Sequence, residues 1–512
     1  MEYGLQPAGQ CDPRGRVRPG FAALRCRWLG LALVLMSTLA QSGWMEDLLQ
    51  EVARLESSGE FTRAETQLRE QGLKRAELSP REVDLLKFEH DRFRRIRRDF
   101  RRTRAEVYDA VQAAVRDLTP EEFERWTHEG RFDIRRIDGE ERFFVSSLSN
   151  LFFRHPELEA RRLKPKATAA MQEAYWENAN AIRRAALAEG RPYVLPKRFL
   201  VRMSLEVATN AVSAVDLVSA WLPVPRRYPF QDGFELRRSS SPVRALEPED
   251  SPIRSVHLEQ PARPGGGTRF EIEYFHATRG VWFDLDPGRW RPPEAGSALL
   301  KPYLGESPHV RFTDPMKRLA AQVGGGETNG VQLARRCFRW ISGNFHYSYA
   351  PEYSTLRDLA EVCRAEGRGD CGQVALLFIT LCRINGVPAR WQSGWAIFPG
   401  DETIHDWCEI YLEPWGWVPA DPYMGLYAMR YATHLTVARR EELRDFYLGG
   451  LCQYRISANS DHNQELRPTK KSIRSDPVDF QRGEVEVGSR NLYFDEFDYD
   501  LQWEELPAGG AP

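Results

Sequence analysis

Gly367-Arg368-Gly369-Asp370-Cys371-Gly372-Gln373 is followed by Val374-Ala375-Leu376-Leu377-Phe378-Ile379-Thr380-Leu381-Cys382-Arg383-Ile384 and then by Asn385-Gly386-Val387-Pro388. The run from Val374 to Ile384 is apolar on nearly every side, which reads as a helix buried on all faces. Asn385-Gly386 supplies its C-terminal cap, and Pro388 prevents continuation. Cys371 therefore falls at the N-terminus of an interior helix. There the helix dipole favours the thiolate, the nucleophilic form of cysteine. The unpaired N–H groups of the first turn can donate to a developing oxyanion. The small neighbours, two glycines before Cys371 and one after it, let a substrate carbonyl come close. Cys382 lies on the same helix without any of this and reads as a packed thiol.

A thiol nucleophile needs a base, and the base needs an acceptor that orients it. Downstream stand His405-Asp406-Trp407-Cys408-Glu409-Ile410-Tyr411-Leu412, then Glu413-Pro414-Trp415-Gly416, then Trp417-Val418-Pro419-Ala420-Asp421-Pro422. This reads as a hairpin with His405 on one strand and Asp421 at the end of the other. Side chains alternate between faces of a strand, so the register decides the pairing. If Leu412 paired with Trp417, Asp421 would oppose Cys408 and face away from His405. Pairing Leu412 with Gly416 sets Asp421 opposite Trp407, on the His405 face. An odd-length loop or a bulge is therefore expected. Asp406 and Glu409 face differently or lie further along and rank below Asp421.

Four ordered blocks now stand together. They are Gly369-Asp370-Cys371-Gly372, Cys382 to Arg390, His405-Asp406-Trp407 and Trp417 to Pro422. In this order they resemble the core motifs of the transglutaminase-like superfamily, a papain-like cysteine core. The upstream Trp340-Ile341 and Phe345-His346-Tyr347 fit the same pattern. The detailed likeness covers roughly residues 310 to 430. The flanking helical part, sandwich and tail resemble large exported bacterial members. The resemblance implies a catalytic triad of Cys371, His405 and Asp421. It implies acyl transfer from the amide of a protein or peptide substrate to water or to an amine. A catalytically silent envelope scaffold on the same fold is the alternative. The oxyanion Trp of animal transglutaminases has no counterpart between Trp340 and Cys371, so Tyr347 and Tyr349 stand as candidate donors. Five tryptophans near the site, Trp391, Trp395, Trp407, Trp415 and Trp417, read as core packing or as an acyl-acceptor groove.

Outward from this core the chain divides by period. Residues 1–41 combine a basic stretch, a short apolar run and small residues, the pattern of a signal peptide or N-terminal anchor. Export to the periplasm or beyond is expected from it. Residues 42–192 read as helical, with Thr119-Pro120-Glu121-Glu122 as a capped helix start and Asp138-Gly139 as a hairpin turn. Residues 193–300 alternate with period two and read as an antiparallel β-sandwich, with Gly265-Gly266-Gly267 as one of its turns. Residues 301–455 form the α+β core. Residues 456–512 end in alternating Phe497, Tyr499, Leu501 and Trp503, read as strands that return to cover that core. The dense basic run from Arg92 to Arg104 reads as a solvated face opposite Phe93, Ile96 and Phe100, or as a contact with an anionic envelope polymer.

Composition agrees with a large folded chain of several domains. Of 512 residues, 42% are hydrophobic and 28% charged, enough for sizeable cores. A formal net charge of −2 gives no support for nucleic-acid binding. No phosphate-cradling or dinucleotide glycine motif and no H-E-x-x-H occurs, so no cofactor is implied. The eight cysteines lack C-x₂₋₄-C spacing, so no metal site is implied.

Overall fold

The structure, a computed structural model, describes residues 43–164, 168–213, 215–263, 267–294 and 296–507. The expected signal segment, and Gly265 and Gly266 of the glycine turn, lie outside them. The described residues fall into two compact units divided after Arg75. The first holds helices Gly43–Ser57 and Phe61–Gln67 and a π-helical turn Leu68–Leu73. Met45, Leu48, Val52 and Leu55 form the buried stripe of its first helix, at helical spacing.

The second unit is multidomain and mixed, with helices, antiparallel sheets and an α+β core. Its helical part begins with Pro80–Asp99, which a Ser79 and Glu82 capping box starts. Thr119 caps Pro120–His128 by accepting from the Glu122 N–H at 3.2 Å. The Glu122 carboxylate pairs with Arg161 at 2.8 Å instead of closing a box. Strands Ile134–Ile137 and Glu140–Phe143 pair with Ile137 opposite Glu140, so Asp138-Gly139 is a two-residue turn. Both turn residues have positive φ (49° and 92°), as a primed hairpin turn requires.

Two five-stranded sheets follow. The long strands Tyr193–Val207 and Thr268–Trp282 pair along their length in one sheet. Leu217–Pro223 and Ser255–Pro261 pair in the other. Phe199, Val201, Met203, Leu205, Val218, Val256, Phe270 and Ile272 are all buried in one apolar cluster, which fixes the register of the alternation. The tail differs from expectation. Phe497–Leu506 adds to the free edge of Tyr193–Val207, and Glu484–Val487 to Leu217–Pro223. These two strands thus extend the sandwich sheets, while Arg455–Asn459 joins the core sheet and Val478 packs in the core cluster. Alternation identifies a strand but not the edge it will join.

The core sheet has the order Gly416–Ala420, Thr403–Leu412, Ala389–Ala396, Arg455–Asn459. Helix Cys371–Ile384 packs with it, and Gly372 to Arg383 are buried. A Cβ on Gly394 would collide with the Ile456 carbonyl, so only glycine allows strand Arg455–Asn459 to close on the strand next to His405. Two arginines of the basic run are internal. Arg92 and Arg95 are 2% and 1% exposed, so the solvated-face reading fails for both. Arg92 pairs with Glu89 and donates to the Thr355 carbonyl, and Arg95 donates to the Ser475 carbonyl at 2.6 Å. Exposed positions of the run, Arg94 among them, make ion pairs at the surface.

Candidate active site

Asp370 opens the helix of Cys371. Its carboxylate accepts from the Gln373 N–H at 3.0 Å, and the Gln373 side chain accepts from the Asp370 N–H at 3.3 Å. The Asp370 carbonyl takes the Val374 N–H. These acceptors leave the Cys371 and Gly372 N–H groups as first-turn donors for an oxyanion. Cys371 is half-buried, whereas Cys337, Cys363, Cys382, Cys408 and Cys452 are buried, and all six are free thiols. Cys337, Cys382 and Cys408 pack in the apolar core as expected.

The hairpin has the register that the parity argument requires. Leu412 pairs with Gly416 across the three-residue loop Glu413-Pro414-Trp415, and Cys408 pairs with Ala420. Asp421 therefore follows the strand on the His405 face. His405 Nε2 lies 2.8 Å from Asp421 Oδ2. The same oxygen accepts from Arg455 at 2.8 Å, and Oδ1 accepts from the Met424 N–H at 3.0 Å, capping helix Pro422–Arg430. Burial alone would raise the Asp421 carboxyl, but His405 and Arg455 outweigh it and hold the group below its ordinary range. Burial lowers the His405 imidazole despite the attraction of Asp421. The pair is therefore a carboxylate facing a neutral imidazole at neutral pH. A carboxylate accepts only, so Nε2 carries the proton and the lone pair sits on Nδ1. That is the tautomer a base needs if Nδ1 is to receive a thiol proton.

The sulfur itself is engaged elsewhere. Cys371 Sγ donates to Asp406 Oδ2 at 3.6 Å, and no hydrogen bond joins it to the imidazole. Asp406 is fully buried. Its Oδ1 accepts from Gln481 at 2.7 Å, and its Oδ2 accepts from the Tyr353 hydroxyl at 3.3 Å. The single Tyr353 proton is shared with Asp370, the nearer acceptor at 2.8 Å. Burial, then the negative charges of Asp406 and Asp370, push the Cys371 thiol well above its ordinary value, so the resting group is a thiol. Glu409, by contrast, is turned to Arg390 and Gln392, both at 2.7 Å.

Aromatic rings wall the site. Tyr423 lies 5.3 Å from the His405 ring, Tyr347 lies 5.1 Å from Tyr423, and Tyr349 is 45% exposed. A chain of rings, Tyr423, Tyr427, Tyr175 and Phe398, runs on to a groove of about 820 Å³ lined by Met171, Trp176, Arg184 and Tyr454. Trp391 and Trp407 are fully buried and serve as packing, while the wall is made of tyrosines. Tyr353, Arg455 and Gln481 are residues that sequence reasoning missed, and Asp406 ranks there only as an orienting group, below Asp421. The signal that could have found Asp406 is Gly372: a Cβ there would meet the Tyr353 hydroxyl and Asp406 Oδ2.

Residues 317–422 match the family model described as the transglutaminase-like superfamily. No curated protein sequence matches the chain. Among solved structures, a candidate cysteine protease from Cytophaga hutchinsonii is similar at 15% identity and a TM-score of 0.38, over 62% of this chain and 93% of that one. The periplasmic domain of TgpA from Pseudomonas aeruginosa is similar at 15% identity and a TM-score of 0.24, over 53% of this chain and 96% of that one. Residues 317–422, which contain Cys371, His405 and Asp421, are a transglutaminase-like core.

Proposed function

We propose that the protein is a cysteine acyl transferase or protease acting on amide bonds of protein or peptide substrates. Cys371 is the nucleophile, His405 the base and Asp421 the residue that orients the base. The observation that carries this reading is the 2.8 Å contact of Nε2 with an ionised, Arg455-held Asp421, on the hairpin beside the nucleophile helix. The thiol turns from Asp406 towards Nδ1 and gives up its proton, and the thiolate attacks the amide carbon. The oxyanion takes the Cys371 and Gly372 N–H groups, with Tyr347 or Tyr349 as a further donor. His405 returns the proton to the leaving amine. Water or a second amine then releases the acyl group and regenerates the thiol.

Hydrolysis is the favoured outcome, because Cys371 is only half-buried and amine transfer needs a site from which water is excluded. The basic, apolar and small-residue order of residues 1–41 supports export. Among the described residues no helix is long and apolar enough to cross a membrane. Full-length protein and its Cys371→Ala variant are incubated with a mixed protein substrate, and new termini and isopeptide bonds are scored separately by mass spectrometry. Cys371-dependent new termini are expected. Folded wild type that makes neither product would leave the silent-scaffold reading standing instead.

A further inference from the structure

Asp406 is a buried titratable group that the triad does not use, and it touches the reacting atom. We propose that Asp406 is a further catalytic residue: as a carboxylic acid its Oδ2–H holds the Cys371 sulfur as thiolate, and as a carboxylate it pins the thiol and withholds it from His405. This deepens the acyl-transfer reading and rests on Cys371 being its nucleophile.

The geometry is built rather than incidental. Gln481 fixes Oδ1 at 2.7 Å and also donates to the His405 carbonyl at 2.8 Å, so the Asp406 side chain is locked to the strand that carries the base. That lock aims Oδ2 at Sγ and at the Tyr353 hydroxyl. The absent Cβ of Gly372 gives both groups room to reach the first helical turn. A protonated Asp406 donates one hydrogen bond from Oδ2, and a thiolate is the better acceptor for it.

The proton count closes. His405 Nδ1 takes the thiol proton while Asp406 keeps its own and turns it towards sulfur. Loss of the Asp406 proton to solvent reverses the contact, and S–H then donates to the carboxylate.

The surroundings decide which form is present. Asp370 and Cys371 face Asp406 from the helix, Tyr353 from the turn Tyr353–Thr355, and Asp476 and Asp479 from the tail, where Arg482 pairs with Asp476; His405 is on its own strand. Burial, then the charges of Asp479 and Asp370, push Asp406 well above the ordinary carboxylate range. Thiol and carboxyl are thus coupled, and their protons leave in two steps that belong to the pair.

The test follows the rate of Cys371 alkylation by iodoacetamide from pH 4 to 10 on full-length protein, read by peptide mapping. The wild type is expected to titrate in two separated steps. Asp406→Asn keeps both polar contacts but cannot ionise. Its curve should collapse to one step, with alkylation at pH 8 about tenfold faster than wild type, the effect of removing roughly one unit of like-charge shift. Tyr353→Phe removes the phenol proton that Asp370 and Asp406 share, and should move the upper step to higher pH. A folded Asp406→Asn protein whose curve superimposes on wild type would overturn the assignment. If that variant does not fold, a Tyr353→Phe curve identical to wild type does the same. Iodoacetamide needs no enzyme turnover, so these results are separate from the product assay. Shifted curves without any product would uphold the role of Asp406 on the sulfur and remove the acyl-transfer reading.

Discussion

Cys371 and Cys382 stand on one helix and meet opposite environments. At the mouth, Sγ of Cys371 faces Asp406 and lies one residue from a capped turn with N–H groups to offer. In the interior, Cys382 is 1% exposed and packs in the same apolar cluster as Cys337 and Cys408. Burial raises both thiols. On the proposed reading, what separates them is what can reverse it: a base on the neighbouring hairpin, and a carboxyl whose charge can be removed. Position at the end of the helix would then make one sulfur a nucleophile, while position within it makes the other part of the core.

The largest expected effect breaks that comparison directly. Cys371→Ala should remove product formation by about a thousandfold or more, as loss of a nucleophile does, in a product assay on folded protein. Cys382→Ala should keep activity and lose about 1 kcal/mol of stability, the cost of a small cavity, read by denaturant unfolding.

Asp421→Asn comes next. It retains a capping oxygen for helix Pro422–Arg430 but removes the charge that fixes the Nε2–H tautomer. A fall in kcat of about 10³ to 10⁴ is expected from kinetics. Stability should fall by about 3 kcal/mol, because Arg455 becomes a buried charge without a counter-ion.

A smaller effect sharpens the contrast through pH. Burial raises Asp99 and Asp358 to about 7, and Asp370 and Asp476 to about 6. In the unfolded chain carboxyls release their protons near pH 4. Between about 4 and 7 these four groups therefore hold more protons in the native state than in the unfolded one, and the stability they contribute is lost as pH rises through this window. Asp421 has the opposite sign: its contribution is present above the unfolded value and is lost as pH falls through its depressed native value. Asp358→Asn keeps a capping oxygen and removes one of the raised groups, so the change in Tm from pH 5.5 to pH 8 should be less negative in the variant than in wild type by calorimetry. The same change in both proteins would contradict the charge assignment of Asp358.

The smallest effect concerns the arginine run. Arg95→Ala should destabilise by about 2 kcal/mol or more, since Ser475 loses a buried donor. The exposed Arg101→Ala should stay within about 0.5 kcal/mol in the same unfolding assay.

These residues also mark what could be read in advance. The buried helix, its capped ends and the odd hairpin loop follow from neighbours in sequence, through apolar run length, turn residues and strand parity. Parity placed Asp421 with His405, and it equally turned Asp406 away from His405. It could not say that the Asp406 carboxyl would reach the sulfur. The groups that lock Asp406, Tyr353 and Gln481, are 53 and 75 residues distant, and no local pattern joins them. The arginine run misled for the same reason. Charge density reads as solvated, but the acceptors for Arg92 and Arg95 are backbone carbonyls 263 and 380 residues away. Arg455 was hidden on a short strand whose place in the sheet depends on the close approach that Gly394 allows.

The most direct test of the account is the alkylation rate of Cys371 at pH 7 in wild type and in His405→Ala, with Cys382 as the control on the same helix. The account predicts that loss of the imidazole slows Cys371 at least tenfold, roughly one unit of thiol pKa, while Cys382 stays unlabelled in both folded proteins. Equal rates for Cys371 in the two proteins would show that His405 does not act on this sulfur.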